Sequence, residues 1–559
     1  MSLRELLRPC LLTCVLCAIV GCASDPSAAV PSHEPAEDAN ARELADITSD
    51  DWPAWTGALP WDRVVNVKDA PGETWDDRIH AAQKQLGDEG GVVYIPPGTY
   101  VLRRTIRLRD GVILRGAGPT RTPDARRATY AQATRLVFPR YRFSARGQGA
   151  PRDSAFKGIE LADPSANDVG VVDLHIENGH VHLGSRDGFA ERFARGQAGR
   201  RWLICGNILR NAAVPDPRIP SPFQHPWQRW TRRDAAAIWC FTGGDVLIAN
   251  NRIPRSGEGS FTQPDFRVYR GKPATHQKVK DKTIVTIDAR FDMDNRPGIA
   301  VNADPLARGL EIWWKHRRVS DPPTGADPNI PPAWGLAGGI DIRRNYVYCT
   351  GCAAIKTSGD GTFVGYNVIR YEPDVIRPTY TGLTLSNFTN NNRAIEMKGW
   401  RWTVEGNDYE VYSNYGPDGK KYVDGEGIMH EAWENVGVRD SRIVNNRGNA
   451  YICLWRVPVK GLEIRGNHIR AAGQAAITVL GSTNRNKPLP CRNVVIEGNT
   501  TEGSGIRIVG EGTDNVIRRN KHHNIRSRGF ISNFAGAETS GNTGYQRREG
   551  KPDEYRPHW

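Results

Sequence analysis

Short runs in which apolar and polar residues alternate recur along most of the chain. The stretch RAIEMKGW (393–400) is typical, with Ile395 and Met397 on one face and Glu396 and Lys398 on the other. A period of two predicts β-strands that keep one face against a core. No helical periodicity separates the runs, so the pattern favours a chain built almost wholly of strands and turns.

A second pattern accompanies the strands: apolar-x-apolar-x-x-Asn-x-apolar, as in VLIANNRI, IDIRRNYV and LEIRGNHI. Asparagine tolerates the left-handed bend between two strands, and its amide can hydrogen-bond to an equivalent residue in the next unit. One unit of roughly 20 residues cannot bury its apolar face alone, so the repeat predicts units stacked as a parallel β-solenoid. The asparagines of this pattern include Asn345, Asn367, Asn407, Asn446, Asn467, Asn499 and Asn520.

The first repeat contains a more specific segment. Residues 64–118, and chiefly the run GGVVYIPPGTYVL, resemble the start of pectate-lyase-like right-handed β-helix proteins. The resemblance extends over about residues 64–541 and implies an all-β fold, a right-handed parallel β-helix with an N-terminal capping helix over Thr74 to Leu86. Thr74 suits the N-cap, and Trp75, Ile79 and Ala82 share one face with Leu86. The superfamily includes lyases, hydrolases, epimerases and non-catalytic stalks, so the resemblance implies a fold rather than one chemistry.

The two ends of the chain differ in composition from the repeats. In residues 1–21, Arg4 and Arg8 precede a short apolar run, and the segment ends within the motif IVGC (19–22). It therefore resembles a bacterial lipoprotein signal peptide. This resemblance implies a lipid on Cys22 and a location in the cell envelope, periplasmic or surface-exposed. Residues 22–50 are rich in Ala, Pro, Ser and acids, which is typical of a flexible tether. A single β-helix domain is predicted over 51–545, with loop insertions at about 119–152 and 254–336 and a polar tail over 546–559.

Charge narrows the class of partner. The 559 residues include 75 Lys and Arg against 62 Asp and Glu, a formal net charge of +13. This balance favours an anionic partner such as nucleic acid, a membrane surface or an acidic polysaccharide, and solubility alone is the alternative explanation. An acidic polysaccharide fits the predicted location and nucleic acid does not, and we expect a monomer.

Metal ligands are sparse in the sequence. Cys349 and Cys352 are spaced for a disulfide, and no second pair of ligands accompanies them to hold zinc. The segment DMDNRPG (292–298) has the composition of a calcium loop but lacks the closing glutamate. Calcium therefore stays an alternative, and no other cofactor or metal is predicted.

Aligning the strands that follow each asparagine strand predicts which side chains share a face. The inward column is Ile159, Ile238, Ile355, Ile395, Ile428, Ile452, Ile477 and Ile506. The outward column next to it is Glu160, Trp239, Lys356, Glu396, Met429, Cys453, Thr478 and Arg507. Two positions further on come Ser358, Lys398, Glu431, Trp455, Leu480 and Val509. Charges concentrate in three successive rungs, roughly 4.8 Å apart, and the candidate catalytic residues are Lys356, Glu396, Lys398 and Glu431.

Two chemistries and one binding role fit these residues. β-Elimination of a uronate needs a base for the proton at C5 and a cation for the carboxylate, for which Lys356, Lys398 and Arg507 are candidates. Hydrolysis needs two carboxyl groups, which Glu396 and Glu431 could supply from a diagonal pair about 7–8 Å apart. A glycan-binding lipoprotein without catalysis is the third alternative. The leading hypothesis is an envelope-anchored enzyme that cleaves an anionic polysaccharide by β-elimination.

Aromatic residues near this sheet are candidates for binding sugar. Trp239 and Trp455 flank the charged rungs, and two loops mix tryptophan with arginine around Trp227, Trp230 and Trp313. Tryptophan and arginine stack on rings and pair with carboxylates, although the same residues could simply hold loops on the solenoid wall. For the charged residues the alternative is ion pairing on a solvated sheet, worth about 0.2–1 kcal/mol per pair. The same register predicts that His430 points into the core.

Overall fold

Most of the solenoid is described by the structure, a computed structural model. It covers residues 52–118, 133–139, 158–185, 188–210, 236–256, 298–302, 338–349, 353–371, 393–412, 426–431, 437–471, 475–481, 488–525 and 531–546, and short strands at 268–269, 272–273, 275–279, 282–286, 383–384, 414–415, 421–422 and 554–557. Three long sheets run through it, and each turn of the chain contributes one strand to each sheet in sequence order. The protein is therefore a right-handed parallel β-helix, as the resemblance implied.

The first sheet has 14 strands that pair in parallel. Its strands are Val64–Asn66, Gly91–Ile95, Val112–Gly116, Val169–Val172, Arg200–Cys205, Gly244–Ala249, Ile340–Arg343, Phe363–Gly365, Thr403–Glu405, Val438–Val444, Val459–Arg465, Cys491–Glu497, Val516–Arg518 and Glu538–Ser540.

The second sheet has 12 strands, labelled here because the candidate site lies on it. They are β1 (Ile106–Leu108), β2 (Ile159–Leu161), β3 (Val181–Leu183), β4 (Ile238–Phe241), β5 (Ile299–Asn302), β6 (Ile355–Asp360), β7 (Arg393–Trp400), β8 (Glu426–Glu431), β9 (Tyr451–Trp455), β10 (Ile477–Leu480), β11 (Ile506–Val509) and β12 (Ile531–Phe534).

The third sheet also has 14 strands, and only its last pair is antiparallel among those described. Its strands are Gly98–Val101, Thr134–Val137, His175–Glu177, Ile208–Arg210, Arg252–Ser256, Tyr346–Cys349, Val368–Tyr371, Asp408–Val411, Arg447–Gly448, His468–Arg470, Thr500–Glu502, Lys521–His523, Thr543–Gln546 and Glu554–Pro557. The last of these falls in the segment predicted as a polar tail.

Helices and small sheets complete the described structure. The helices are α1 (Trp75–Leu86), α2 (Phe189–Ala194) and a short 3-10 helix (Ala54–Ala58). Three small sheets pair Val268–Tyr269 with Lys272–Pro273, Thr275–Val279 with Lys282–Thr286 and Leu383–Thr384, and Asn414–Tyr415 with Lys421–Tyr422.

The predicted capping helix is confirmed. The Thr74 hydroxyl accepts from the Asp77 N–H at 3.2 Å, and the Asp77 carboxylate accepts from the Thr74 N–H at 3.2 Å, so both ends of a capping box are present. Ile79, Ala82 and Leu86 are buried against the first coils. These contacts close the N-terminal end of the core.

A ladder of buried asparagines runs between the first and third sheets. Asn345 donates through its backbone N–H and its Nδ2 to Asn367 Oδ1, at 2.9 and 3.0 Å, and its Nδ2 also donates to the Ile248 carbonyl. The same contacts repeat at every predicted position and extend the ladder to Asn207, Asn251 and Asn542. Each amide thereby satisfies buried backbone groups at a bend, and each such hydrogen bond contributes about 0.5–1.5 kcal/mol.

Both predicted loop insertions contain strands of the solenoid. Thr134–Val137 pairs with neighbouring coils in the third sheet, and β5 pairs with β4 and β6 in the second sheet. Neither strand adjoins an asparagine phrase, so the repeat pattern did not reveal them. The solenoid therefore has more strands in its second and third sheets than the asparagine pattern indicated.

Candidate active site

The register of the second sheet agrees with the predicted alignment from Ile355 to Ile506, but β3 and β5, which that alignment lacked, lie on either side of Trp239. Ile355 lies opposite Ile395, which lies opposite Ile428, and the same column continues to Ile506. One position along each strand, Lys356 lies opposite Glu396, and Glu396 lies opposite Met429. The charges of β6 and β7 are therefore neighbours, as the sequence predicted.

Glu396 contacts three cations at once. Its Oε1 lies 3.0 Å from Lys356 Nζ and 3.4 Å from Lys398 Nζ. Its Oε2 lies 3.0 Å from Arg393 Nη1 and 3.1 Å from Lys356 Nζ. Glu396 is only 1% exposed, so this is a buried ion cluster and not an ion pair on a wet sheet.

The charge state of Glu396 follows from these neighbours. Burial alone would raise the pKa of its carboxyl group, but the positive charges of Lys356, Arg393 and Lys398 outweigh burial and hold the pKa well below its usual range. The three cations therefore favour the ionised form of the carboxylate. An ionised carboxylate suits the part of a base or a nucleophile better than that of a general acid in a glycoside hydrolase.

The lysines form the accessible part of this cluster. The side chains of Lys356 and Lys398 are 35% and 25% exposed, whereas that of Arg393 is 4% exposed. In their usual charge states the four side chains have two more positive charges than negative ones. The outward side of the cluster therefore presents positive charge, with both ammonium groups positioned by one fixed carboxylate.

Arg393 is a residue of this cluster that the sequence analysis did not identify. It opens β7 and stands three residues before Glu396. Strict alternation would place residues three apart on opposite faces of a strand, so the pattern gave no reason to join them. The signal present in the sequence is the pair of cations on either side of one glutamate in RAIEMK.

Glu431 ends β8, directly after the paired positions Met397 and His430. Its backbone therefore stands one rung from Lys398, as predicted, while its side chain lies outside the described residues. The proposed pairing of Glu396 with Glu431 stays a prediction. With Glu396 ionised, only Glu431 is left to donate a proton in that mechanism.

His430 is a core residue, as the register predicted. It is 1% exposed and stacks on Trp402 with ring centroids 5.9 Å apart. Burial, assisted by the positive charge of Lys398, lowers the pKa of His430 to about 3. The imidazole is therefore neutral at physiological pH.

Trp239 does not offer its ring to a sugar in this structure. It is buried, stacked on His182 at 5.4 Å and on Phe241 at 5.2 Å. Phe189 and Phe193 of α2 pack on the same cluster. The outward face of this part of the sheet is thus covered by a six-residue helix whose short sequence gave no helical periodicity to detect.

The remaining predicted binding residues are spread along the sheet. Trp455 is half-buried, with the Arg456 guanidinium 4.9 Å from its ring centroid. Arg507 is exposed on β11, four rungs and roughly 19 Å from Glu396. It is therefore separated from the lysine pair.

Several predicted residues fall outside the described part of the chain. They are Trp227, Trp230, Trp313, Cys22, Cys352, the side chain of Cys349 and nearly all of the segment DMDNRPG. Among the residues that are described, no three His, Cys, Asp or Glu side chains are grouped so as to hold a metal ion. No helix of the described part has the length and apolar character needed to cross a bilayer.

The three sheets and the asparagine ladder define a three-sheet parallel β-helix protein. No protein-family model matches the chain, and no curated protein matches it. Among solved structures it is similar to the catalytic unit of a GH87 α-1,3-glucanase from Streptomyces thermodiastaticus (14% identity, TM-score 0.42, covering 91% of this chain and 73% of that chain). It is also similar to PfbA, a surface adhesin of Streptococcus pneumoniae (13% identity, TM-score 0.45, 87% and 90%), and to DFA-IIIase from Arthrobacter chlorophenolicus (11% identity, TM-score 0.37, 85% and 86%). At these values the likenesses carry no argument about function.

Proposed function

We propose that this protein binds an anionic polysaccharide across β6 and β7 and cleaves it by β-elimination. The observation behind the proposal is the pair Lys356 and Lys398, two partly exposed cations held by one buried, ionised carboxylate. A uronate carboxylate placed over this pair would be neutralised, and neutralisation makes the proton at C5 easier to remove. Glu396 and Arg393 act as positioning residues beneath the lysines.

The two lysines have different roles in this mechanism. Lys356 contacts both oxygens of Glu396, at 3.0 and 3.1 Å, while Lys398 contacts one at 3.4 Å. We assign neutralisation of the substrate carboxylate to the more tightly held Lys356. Lys398 takes the C5 proton as general base after it has released its own ammonium proton to solvent. The C4–O bond then breaks, its electron pair leaves with the oxygen, a C4=C5 double bond forms, and the leaving oxygen takes a proton from solvent.

The location of the activity is part of the proposal. The lipobox-like IVGC before residue 23 supports lipid attachment at Cys22 and anchoring in the cell envelope. The tether over 22–50 would let a monomeric β-helix domain reach polymer near the membrane. The basic net charge is consistent with an acidic glycan as partner.

The decisive experiment is an assay of the full chain against uronate-containing and neutral polysaccharides. Two readouts are needed: ultraviolet absorbance of unsaturated products, and total reducing ends. Absorbance that rises together with reducing ends supports β-elimination. Reducing ends without absorbance would establish hydrolysis instead, and binding without either product would establish a glycan-binding protein.

A further inference from the structure

Three cations stand side by side on the outer face of the first sheet, away from β6 and β7. Arg439 lies opposite Lys460, and Lys460 lies opposite Arg492, in three successive parallel strands. Neighbouring strands are roughly 4.8 Å apart. We call these residues the basic column. It runs along the axis of the solenoid, across the strands and not along them.

Two of the three cations of the basic column have no carboxylate partner in the described part of the chain. Arg439 has a carboxylate nearby, with Nε 3.4 Å from Asp440 Oδ2. Lys460 and Arg492 are exposed, and neither forms an ion pair with any residue in the described part of the chain. Like charges directly opposite one another weaken a sheet, so folding gives no reason for this arrangement.

The same three strands show the opposite arrangement a few residues later. Arg442 lies opposite Glu463 with Nε 3.3 Å from Oε2, and Arg465 lies opposite Glu497 with Nη1 2.9 Å from Oε2. A third cation of this arrangement, Arg518, pairs with Glu497 from the next strand at 2.9 Å. These strands thus pair opposite charges at Glu463 and Glu497, and they leave Lys460 and Arg492 without an opposite charge in the described part of the chain.

We propose that the basic column is a second binding surface, for a linear acidic polysaccharide whose negative groups follow the solenoid axis. The column is one residue wide and is bordered by Asp440 and Glu463. A broad anionic surface such as a membrane would meet these acids together with the cations, whereas a single extended chain can contact the cations alone. The residues that follow the three cations are Asp440, Gly461 and Asn493, so no aromatic ring is present there to stack on the bases of single-stranded nucleic acid.

The proposal is independent of cleavage at Lys356 and Lys398, because it concerns another sheet. The test is the affinity of the full chain for polygalacturonate, alginate and dextran sulfate at low ionic strength, comparing wild type with the double variant Lys460→Gln, Arg492→Gln. The matched control is Arg447→Gln, Arg470→Gln, two exposed cations on the third sheet. Both double variants lower the net charge equally, so a general charge effect is the same in each.

We expect the column variant to bind at least one of the polymers about tenfold more weakly and the control to bind like wild type. The difference should shrink as salt is added, because exposed charges are screened. It should persist in protein that also carries Lys356→Met and Lys398→Met. The midpoint of unfolding of the column variant should equal or exceed that of wild type, since the substitutions relieve repulsion between neighbouring strands.

Three outcomes would overturn the proposal. Equal weakening in both double variants would show an effect of net charge alone. If the wild type bound none of the three polymers, acidic polysaccharides would be excluded as the ligand. Column-dependent binding to phosphatidylglycerol vesicles, with polysaccharide binding unchanged, would assign the surface to lipid phosphate.

Discussion

Lys356 and Glu396 lie forty residues apart in sequence and opposite one another in neighbouring strands, with Nζ 3.0 Å from Oε1. Both point away from the core, yet only the lysine reaches solvent. The carboxylate is enclosed by its cations, and this changes what a substitution there should do.

The first prediction concerns the stability of Glu396→Gln. At an exposed position of the sheet such a substitution would cost no more than about 1 kcal/mol. Removing the charge takes the Glu396 carboxylate away from Arg393, which is 4% exposed, and from the two lysines. Breaking a buried ion pair in this way costs about 3–5 kcal/mol, so we expect a loss of that order in the free energy of unfolding from urea titration. A loss below 1 kcal/mol would mean that water reaches the cluster.

The second prediction is that Lys356 and Lys398 contribute to turnover and not to the stability of the fold. Lys356→Met and Lys398→Met each leave Glu396 with two cations, so we expect unfolding midpoints near that of wild type. On its identified substrate, each should lower turnover by roughly a hundredfold or more, because proton transfer and charge neutralisation typically contribute that much. Lys84→Met, at an exposed position on α1, is the matched control and should be fully active. Normal turnover in both Lys356→Met and Lys398→Met would show that the ion cluster around Glu396 has only a structural role.

The third prediction is a pH dependence caused by His430. Its pKa is near 6.5 in the unfolded chain and about 3 in the folded protein. Below pH 6.5 the unfolded state therefore binds a proton that the native state excludes. The stabilisation is complete above pH 6.5 and is lost as pH falls towards 3, by up to about 1.4 kcal/mol per pH unit.

Glu396 adds to this acid sensitivity at lower pH. Its folded pKa is depressed, so its full stabilisation is present above the pKa of an ordinary glutamate and is lost progressively as pH falls from that value through the folded pKa. Urea titrations of wild type and His430→Leu between pH 7.5 and 5 isolate the histidine. The variant should show a flatter dependence over this interval, and parallel curves would contradict the assignment.

The fourth prediction concerns the lipid. Changing Cys22 to Ser should abolish incorporation of a labelled fatty acid in a bacterial host and release the protein from the membrane fraction. The neighbouring substitution Ser24→Ala is the control and should leave both unchanged. Retention of label in Cys22→Ser would exclude this residue as the attachment site.

The sequence predicted the solenoid because its signals are local. Each asparagine phrase marks one bend, and each isoleucine of the second sheet marks one inward position, so alignment of the strands was enough to place Lys356 beside Glu396. Strand β5 and Thr134–Val137 were missed because neither adjoins such a phrase. The burial of Trp239 on the outward face was missed for a different reason. Trp239 is covered by α2, and contacts between a helix and the outer surface of a sheet produce no periodic pattern in the sequence.

The antiparallel pairing of Thr543–Gln546 with Glu554–Pro557 has a consequence for solubility. A stack of parallel strands has an unpaired edge at its last coil, and another chain can add to such an edge. The final strand turns back along the third sheet and occupies that edge, while α1 covers the opposite end. Removal of residues 547–559 would expose Thr543–Gln546 as a template. We therefore expect the shortened chain to associate end to end at rising concentration more readily than the full chain.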